Sequence, residues 1–145
     1  LIGNGPLKHE IENQIQKLGI SDLVELPGYL SQNRIVEELH NSHLLVLASD
    51  IETFGMVLIE AQACGLPVVA TDCGGPRDII TPESGILVKP GSVSELTDAI
   101  KKLIKSFEKF DPSGIRNSVI QRFGQQKYVE SIRNFTPKLI SSSVD

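Results

Sequence analysis

The chain has no tryptophan, two tyrosines and five phenylalanines among its 145 residues, and its 14 Lys and Arg are outnumbered by 18 Asp and Glu. Nucleic-acid grooves need basic stripes and aromatic stacking platforms, so the composition argues against nucleic acid as a partner. Long apolar runs are missing as well. Stretches such as Leu44 to Ala48 fall far short of the ~20 residues of a membrane span, and no charged-then-apolar signal segment opens the chain. A soluble protein without a transmembrane segment is expected, cytoplasmic, with any association of the full-length protein with the inner membrane peripheral. Cysteine is scarce: Cys64 and Cys73 lack the paired spacing of a zinc site, although His9, His40 and His43 are available as further ligands. Buried free thiols are the simpler reading, and they suit a reducing compartment. An initiating methionine is missing too. Leu1-Ile2 runs straight into Gly3-Asn4-Gly5-Pro6, as a strand end entering a turn, and the natural polypeptide is expected to extend upstream. At the other end, residues 141–145 have little to bury and are expected to fray.

What is present is a regular alternation. Leu7, Ile11, Ile15 and Leu18 recur at helical spacing before Gly19, giving an amphipathic helix over 7–18. Asp22 to Pro27 reads as a short strand. Ser31 can cap a helix with Ile35, Val36 and Leu39 on one face, and Leu44 to Leu47 is a continuous apolar strand of the kind buried on both sides. A helix over 55–64 stopped by Gly65, a strand Val68 to Thr71, a Gly74-Gly75-Pro76 turn, a short helix near 77–80 and a strand Ile86 to Val88 follow. Ser94 begins a helix striped with Leu96, Ala99, Ile100, Leu103 and Ile104, and helices near 113–121 and 124–136 complete the pattern. Short strands separated by helices specify an α/β fold: a Rossmann-like, doubly wound parallel sheet with helices on both faces, in one domain over 1–140. Ligands of such sheets bind beyond the carboxyl ends of the strands, where loops 3–6, 28–31, 48–55 and 72–77 are rich in Gly, Ser or acidic residues.

The most informative of these loops precedes the 55–64 helix. A helix N-terminus offers unpaired N–H groups and the positive end of a dipole, and Gly55 lets a ligand approach the backbone, which makes a phosphate seat. Glu52 before the helix and Glu60, about 7.5 Å along its axis, would repel phosphate. As paired acceptor oxygens they suit the hydroxyls of a sugar instead. A ligand with a sugar on either side of a phosphate group satisfies both acids, and a nucleotide sugar is such a ligand. The bland alternatives are an exposed loop acid near a helix start for Glu52 and a buried acid paired with Arg or Lys for Glu60, in a helix apolar on almost every side. Phe54 and Met56 read as core.

Glu52-Thr53-Phe54-Gly55-Met56-Val57-Leu58-Ile59-Glu60-Ala61, continuing through Cys64-Gly65-Leu66-Pro67-Val68-Val69-Ala70-Thr71 to Gly74-Gly75, resembles the E-x7-E signature region of the glycosyltransferase family 4 (group 1) enzymes. Gly3-Asn4-Gly5-Pro6 resembles the family's G-x-G-P turn, Val24 to Gly28 its next strand and glycine, and Gly85-Ile86-Leu87-Val88 its G-x-L-V strand. The resemblance covers residues 1 to about 107. It implies the C-terminal, donor-binding domain of a retaining transferase of GT-B architecture, with the first strand and the N-terminal acceptor domain missing upstream. Glu52 would then position the transferred sugar. Gly55 and the backbone of Met56 and Val57 would face the diphosphate and sugar, Thr53 and Phe54 would belong to the donor-binding set, and Glu60 would bind the ribose. Tyr29-Leu30 would lie near the base, and Gly3-Asn4-Gly5 would line the same cleft. The family neutralises the leaving diphosphate with an Arg and a Lys rather than a metal. No D-x-D signature occurs here, so no metal or other cofactor is expected.

Two features depart from the pattern. The family's diphosphate-binding Arg and Lys precede the G-x-G-P turn and so lie outside this chain, and Asp78 stands where Glu is common. The fragment alone is therefore expected to be inactive. The partners implied are a nucleotide-diphosphate-sugar donor and a polysaccharide, lipid or small-molecule acceptor held by the missing domain. A non-catalytic nucleotide-binding or interaction module of the same fold is the alternative, and a nucleotide-sugar epimerase fits the fold but fits the E-x7-E pattern less well.

Overall fold

A computed structural model describes residues 1–141, which divide into two compact units, Leu1–Glu38 and Leu39 onward. The first unit opens with the Gly3–Pro6 turn and helix α1, Lys8–Leu18. Gly19, at φ 65°, closes it: the Gly19 N–H donates to Gln16 O and the Ile20 N–H to Ile15 O, the paired bonds of a glycine-terminated helix. The expected strand over 22–27 does not form. Ser21–Leu23 is instead a single 3-10 turn, and the segment that follows is tied by one isolated parallel bridge, Ile2 to Gly28. Helix α2, Gln32–His40, begins as the Ser31 carbonyl accepts the Ile35 N–H at 2.9 Å.

The second unit is built on a three-stranded parallel sheet in the order β1 (Leu45–Leu47), β2 (Val68–Thr71) and β3 (Gly85–Val88). Leu45 aligns with Val68, and Val68 in turn with Gly85. β2 is buried at all of its positions, so both faces of the sheet are covered there. Val69 joins Val88, Ala99 and Leu103 in a core cluster beneath α5 (Val93–Lys105), with Leu44, Ile86, Leu96 and Phe107 packed around it. Val68 and Ala70 point the other way by the alternation of a strand, and helix α3, Met56–Ala63, packs on β1 and β2. β1 departs from expectation. It pairs only with β2 among the described residues and leaves Val46 39% exposed, so it is an edge strand and not one buried on both sides.

Helix α4 (Pro76–Ile79) follows β2, α6 (Pro112–Phe123) packs on α3, and α7 (Gln125–Ser141) packs on α6. The last helix runs to Ser141, the first residue of the expected frayed tail, and 142–145 lie outside the described residues. Asp111 caps α6 by accepting the Ser113 N–H at 3.0 Å, with Pro112 in the first turn. Two expectations for α5 are corrected. Its cap is Ser92, not Ser94: Ser92 has extended backbone and its hydroxyl accepts the Glu95 N–H at 3.3 Å. Ile104 is not part of the buried stripe but 59% exposed. Ser92→Ala is therefore expected to cost about 1 kcal/mol of stability and Ser94→Ala almost nothing, compared by urea denaturation; equal midpoints would refute the cap.

Candidate functional site

The loop leaving the carboxyl end of β1 carries residues 48–55 and delivers the chain to the start of α3. Gly55, buried at the helix entrance with φ 98°, takes a left-handed turn that a side chain resists. A Cβ added there would lie 3.1 Å from Leu58 Cδ1 and 3.6 Å from Glu52 Cγ, so the loop folds tightly over its own helix. No side chain caps α3. The Leu58 N–H donates to the Gly55 carbonyl at 2.9 Å, and the positive end of the helix dipole lies at this entrance.

Glu52 is half-buried and held on both its backbone and its side chain. Its Oε1 accepts the Phe54 N–H at 3.2 Å. Its carbonyl accepts the Gly75 N–H at 2.9 Å, and Glu52 and Gly74 form a parallel bridge. The carboxylate is thereby held through its Oε1. Thr53 and Phe54 are exposed beside it, as is Met56, 57% exposed. Exposure at Phe54 and Met56 corrects their reading as core. Val57 is half-buried.

Glu60 lies on α3 and is half-buried, whereas Leu58, Ala61 and Gln62 are buried. The helix is interior, as its composition requires, but the acid sits on its less covered side. One turn on, the Cys64 thiol is pushed up by burial, partly offset by Arg116 and reinforced by Glu60. Cys64 and Cys73 are free, as expected, but half-buried and not core. Among the described residues no group of three or more His, Cys, Asp or Glu converges as a metal-ligand set.

In the first unit, the Gly3 N–H donates to Gly28 O at 2.9 Å. That bond brings the Gly3-Asn4-Gly5 turn beside the Gly28-Tyr29-Leu30 segment. Tyr29 is 80% exposed and Leu30 half-buried.

Around this loop and the turn after β2 lie contacts that the sequence did not single out. Phe54 meets Phe123 edge to face, centroids 6.1 Å apart, and Arg122 lies 4.9 Å over the Phe123 ring. Arg122 also donates to the Ile79 carbonyl at 2.8 Å and to that of Asp78, tying the end of α6 to α4. Arg77 forks onto Asp72 at 2.8 and 2.9 Å, and this hydrogen bonding holds the Asp72 carboxyl below its ordinary pKa. The ion pair is complete above the usual carboxylate range and is lost only as pH falls through the lowered value. A cleft of about 1500 Å³ elsewhere in this unit is lined by Thr81, Glu83, Gly85, Lys101 and Lys105 and contains none of these residues.

A parallel sheet with helices on both faces, with glycine turns and a held carboxylate at the carboxyl ends of β1 and β2, is a Rossmann-like α/β domain, a class whose ligands bind beyond that edge. The chain matches the family described as "Glycosyl transferases group 1" over residues 1–112 and belongs to it. It is 35% identical over 132 residues to N-acetyl-alpha-D-glucosaminyl L-malate synthase of Bacillus anthracis, covering 89% of this chain and 34% of that protein. Its fold matches the crystal structure of Anabaena HepE in complex with UDP-glucose, with TM-score 0.78, 29% identity, and coverage of 92% of this chain and 40% of that one. It also matches the C-terminal domain of a group 1 family glycosyl transferase, LpcC of Francisella tularensis, with TM-score 0.69, 25% identity, and coverage of 81% of this chain and 62% of that one. The fold is that of the C-terminal domain of GT-B glycosyltransferases, and the chain spans about a third of the length of its Bacillus relative. No helix among the described residues is long and apolar enough to cross a membrane.

Proposed function

We propose that this chain is the donor-binding part of a retaining glycosyltransferase that moves a sugar from a nucleotide diphosphate sugar to a polysaccharide, lipid or small-molecule acceptor. The observation that carries the reading is the fixing of Glu52, through the Phe54 N–H and the Gly75 N–H, beside an uncapped helix N-terminus. Diphosphate sits against the first turn of α3, where Gly55 lets it approach. Glu52 takes hydroxyls of the transferred sugar, and Glu60 takes the ribose. The UDP-glucose held by HepE supports a donor of this chemical class. No metal is assigned, because the sequence offers no D-x-D pair; charge on the leaving diphosphate is met by backbone dipoles here and by cationic side chains elsewhere in the complete protein. This chain alone is proposed to bind the donor without turning it over.

Calorimetric titration of the complete protein with UDP, GDP and ADP, and with their glucose conjugates, tests the reading. Glu60→Ala is expected to weaken every nucleotide by about 1–3 kcal/mol, roughly 5- to 150-fold, the size of a charge-assisted hydrogen bond. Glu52→Ala should weaken the conjugates more than the bare nucleotides. Unchanged binding in both folded variants would overturn the site, and no nucleotide binding by the unaltered protein would favour a non-catalytic module.

A further inference from the structure

The turn after β2 is tied on two sides. On one side Arg77 Nε donates to Asp72 Oδ1 and Arg77 Nη2 to Asp72 Oδ2. This is the two-pronged geometry a guanidinium provides and an ammonium does not. On the other side, Gly74 bridges to Glu52 and the Gly75 N–H donates to the Glu52 carbonyl. The ion pair and the Glu52 backbone are therefore two ends of one short span, residues 72–77. Arg77 is exposed and Asp72 half-buried, and exposed ion pairs contribute little to global stability. What the fork does fix is the separation of positions 72 and 77, and with it the height of the glycine backbone between them.

We propose that the Asp72–Arg77 pair is a positioning brace for Glu52, holding the Gly74–Gly75 backbone where it sets the Glu52 carboxylate against the hydroxyls of the transferred sugar. The inference rests on the assignment of Glu52 to the donor sugar. The nucleotide side of the site is anchored independently, since α3 is held by the burial of Leu58 and Ala61. Loss of the brace therefore costs the sugar-dependent part of binding and spares the nucleotide part. A purely structural role would instead move both together with the melting temperature.

The test is the ratio of nucleotide-sugar to bare-nucleotide affinity in the complete protein, using UDP-glucose and UDP or whichever pair the unaltered protein binds. Arg77→Ala and Asp72→Asn are expected to lower that ratio roughly tenfold, the scale of one charge-assisted hydrogen bond, with bare-nucleotide affinity and melting temperature unchanged. Arg77→Lys, which keeps the charge but loses the fork, should fall between, and it keeps the test open if Arg77→Ala folds poorly. The exchanged pair, Asp72→Arg with Arg77→Asp, should recover most of the ratio. An unchanged ratio in Arg77→Ala and Arg77→Lys, where Glu52→Ala abolishes it, would overturn the brace and leave the donor assignment standing. If Glu52→Ala itself left the ratio unchanged, the donor assignment would fall and the brace with it.

Discussion

Gly75→Ala is expected to destabilise the second unit by about 3 kcal/mol, at the upper end of what overpacking usually costs. The reason is not backbone freedom: Gly75 has φ −47° and ψ −39°, a conformation any residue adopts. It is space. A Cβ at Gly75 would lie 2.5 Å from both the carbonyl carbon and the Cα of Phe54, and closer still to the Phe54 carbonyl oxygen. All three are backbone atoms, so no side chain can swing aside. The Glu52–Phe54 segment must move off the turn, which breaks the Gly75–Glu52 hydrogen bond and the neighbouring bridge. Gly5→Ala is the comparison, because its Cβ would meet nothing within 4 Å and its φ is not positive; it should stay within about 0.5 kcal/mol. Urea denaturation of both variants decides the matter, and coincident midpoints would mean the two loops are not in contact.

This contrast explains what could be read from sequence. The strand Val68–Thr71 is found with its expected bounds, because a continuous apolar run between Pro67 and Asp72 encodes its own ends. Helix α3 and its stop are equally local: Gly65 has φ 83°, the Gly65 N–H donates to Gln62 O and the Leu66 N–H to Ala61 O. The start of α5, expected at Ser94, falls at Ser92 instead: both residues have cap chemistry and only backbone conformation separates them. The strand read at 22–27 and the two-sided burial read at 44–47 failed for another reason. Pairing and coverage are set by neighbours distant in sequence, and apolar composition does not name them.

The candidate site divides in the same way. Glu52, Gly55 and Glu60 were legible from spacing around one loop and one helix. The residues that hold the loop in place were not, because Phe123 meets Phe54 from α6, far along the chain, and Arg122 ties the same end of α6 to α4. Asp72 and Arg77 could have been found. Opposite charges flanking a Gly-Gly-Pro turn are a local signal in the sequence.

Leu58→Ala is expected to cost about 2–5 kcal/mol, the range for truncating a leucine in a core that cannot collapse around the loss. Leu58 is 0% exposed, its N–H donates to the Gly55 carbonyl at 2.9 Å, and its Cδ1 lies under Gly55 at the helix entrance. The same side chain thus belongs to the core and to the floor of the proposed phosphate seat. Val93→Ala supplies the comparison: Val93 is 77% exposed at the start of α5, and its truncation should change stability by less than about 0.5 kcal/mol. Leu58→Met, which nearly conserves volume, should cost less than about 1.5 kcal/mol. If denaturation placed Leu58→Ala beside Val93→Ala, α3 would not be fixed by its buried face. Gly55 and Glu60 would then lack the rigid support that a preorganised seat for a diphosphate and a ribose requires. If the expected order holds, the weak capping of α3 has a physical explanation: tertiary burial holds the helix, and its N-terminus is left to the ligand.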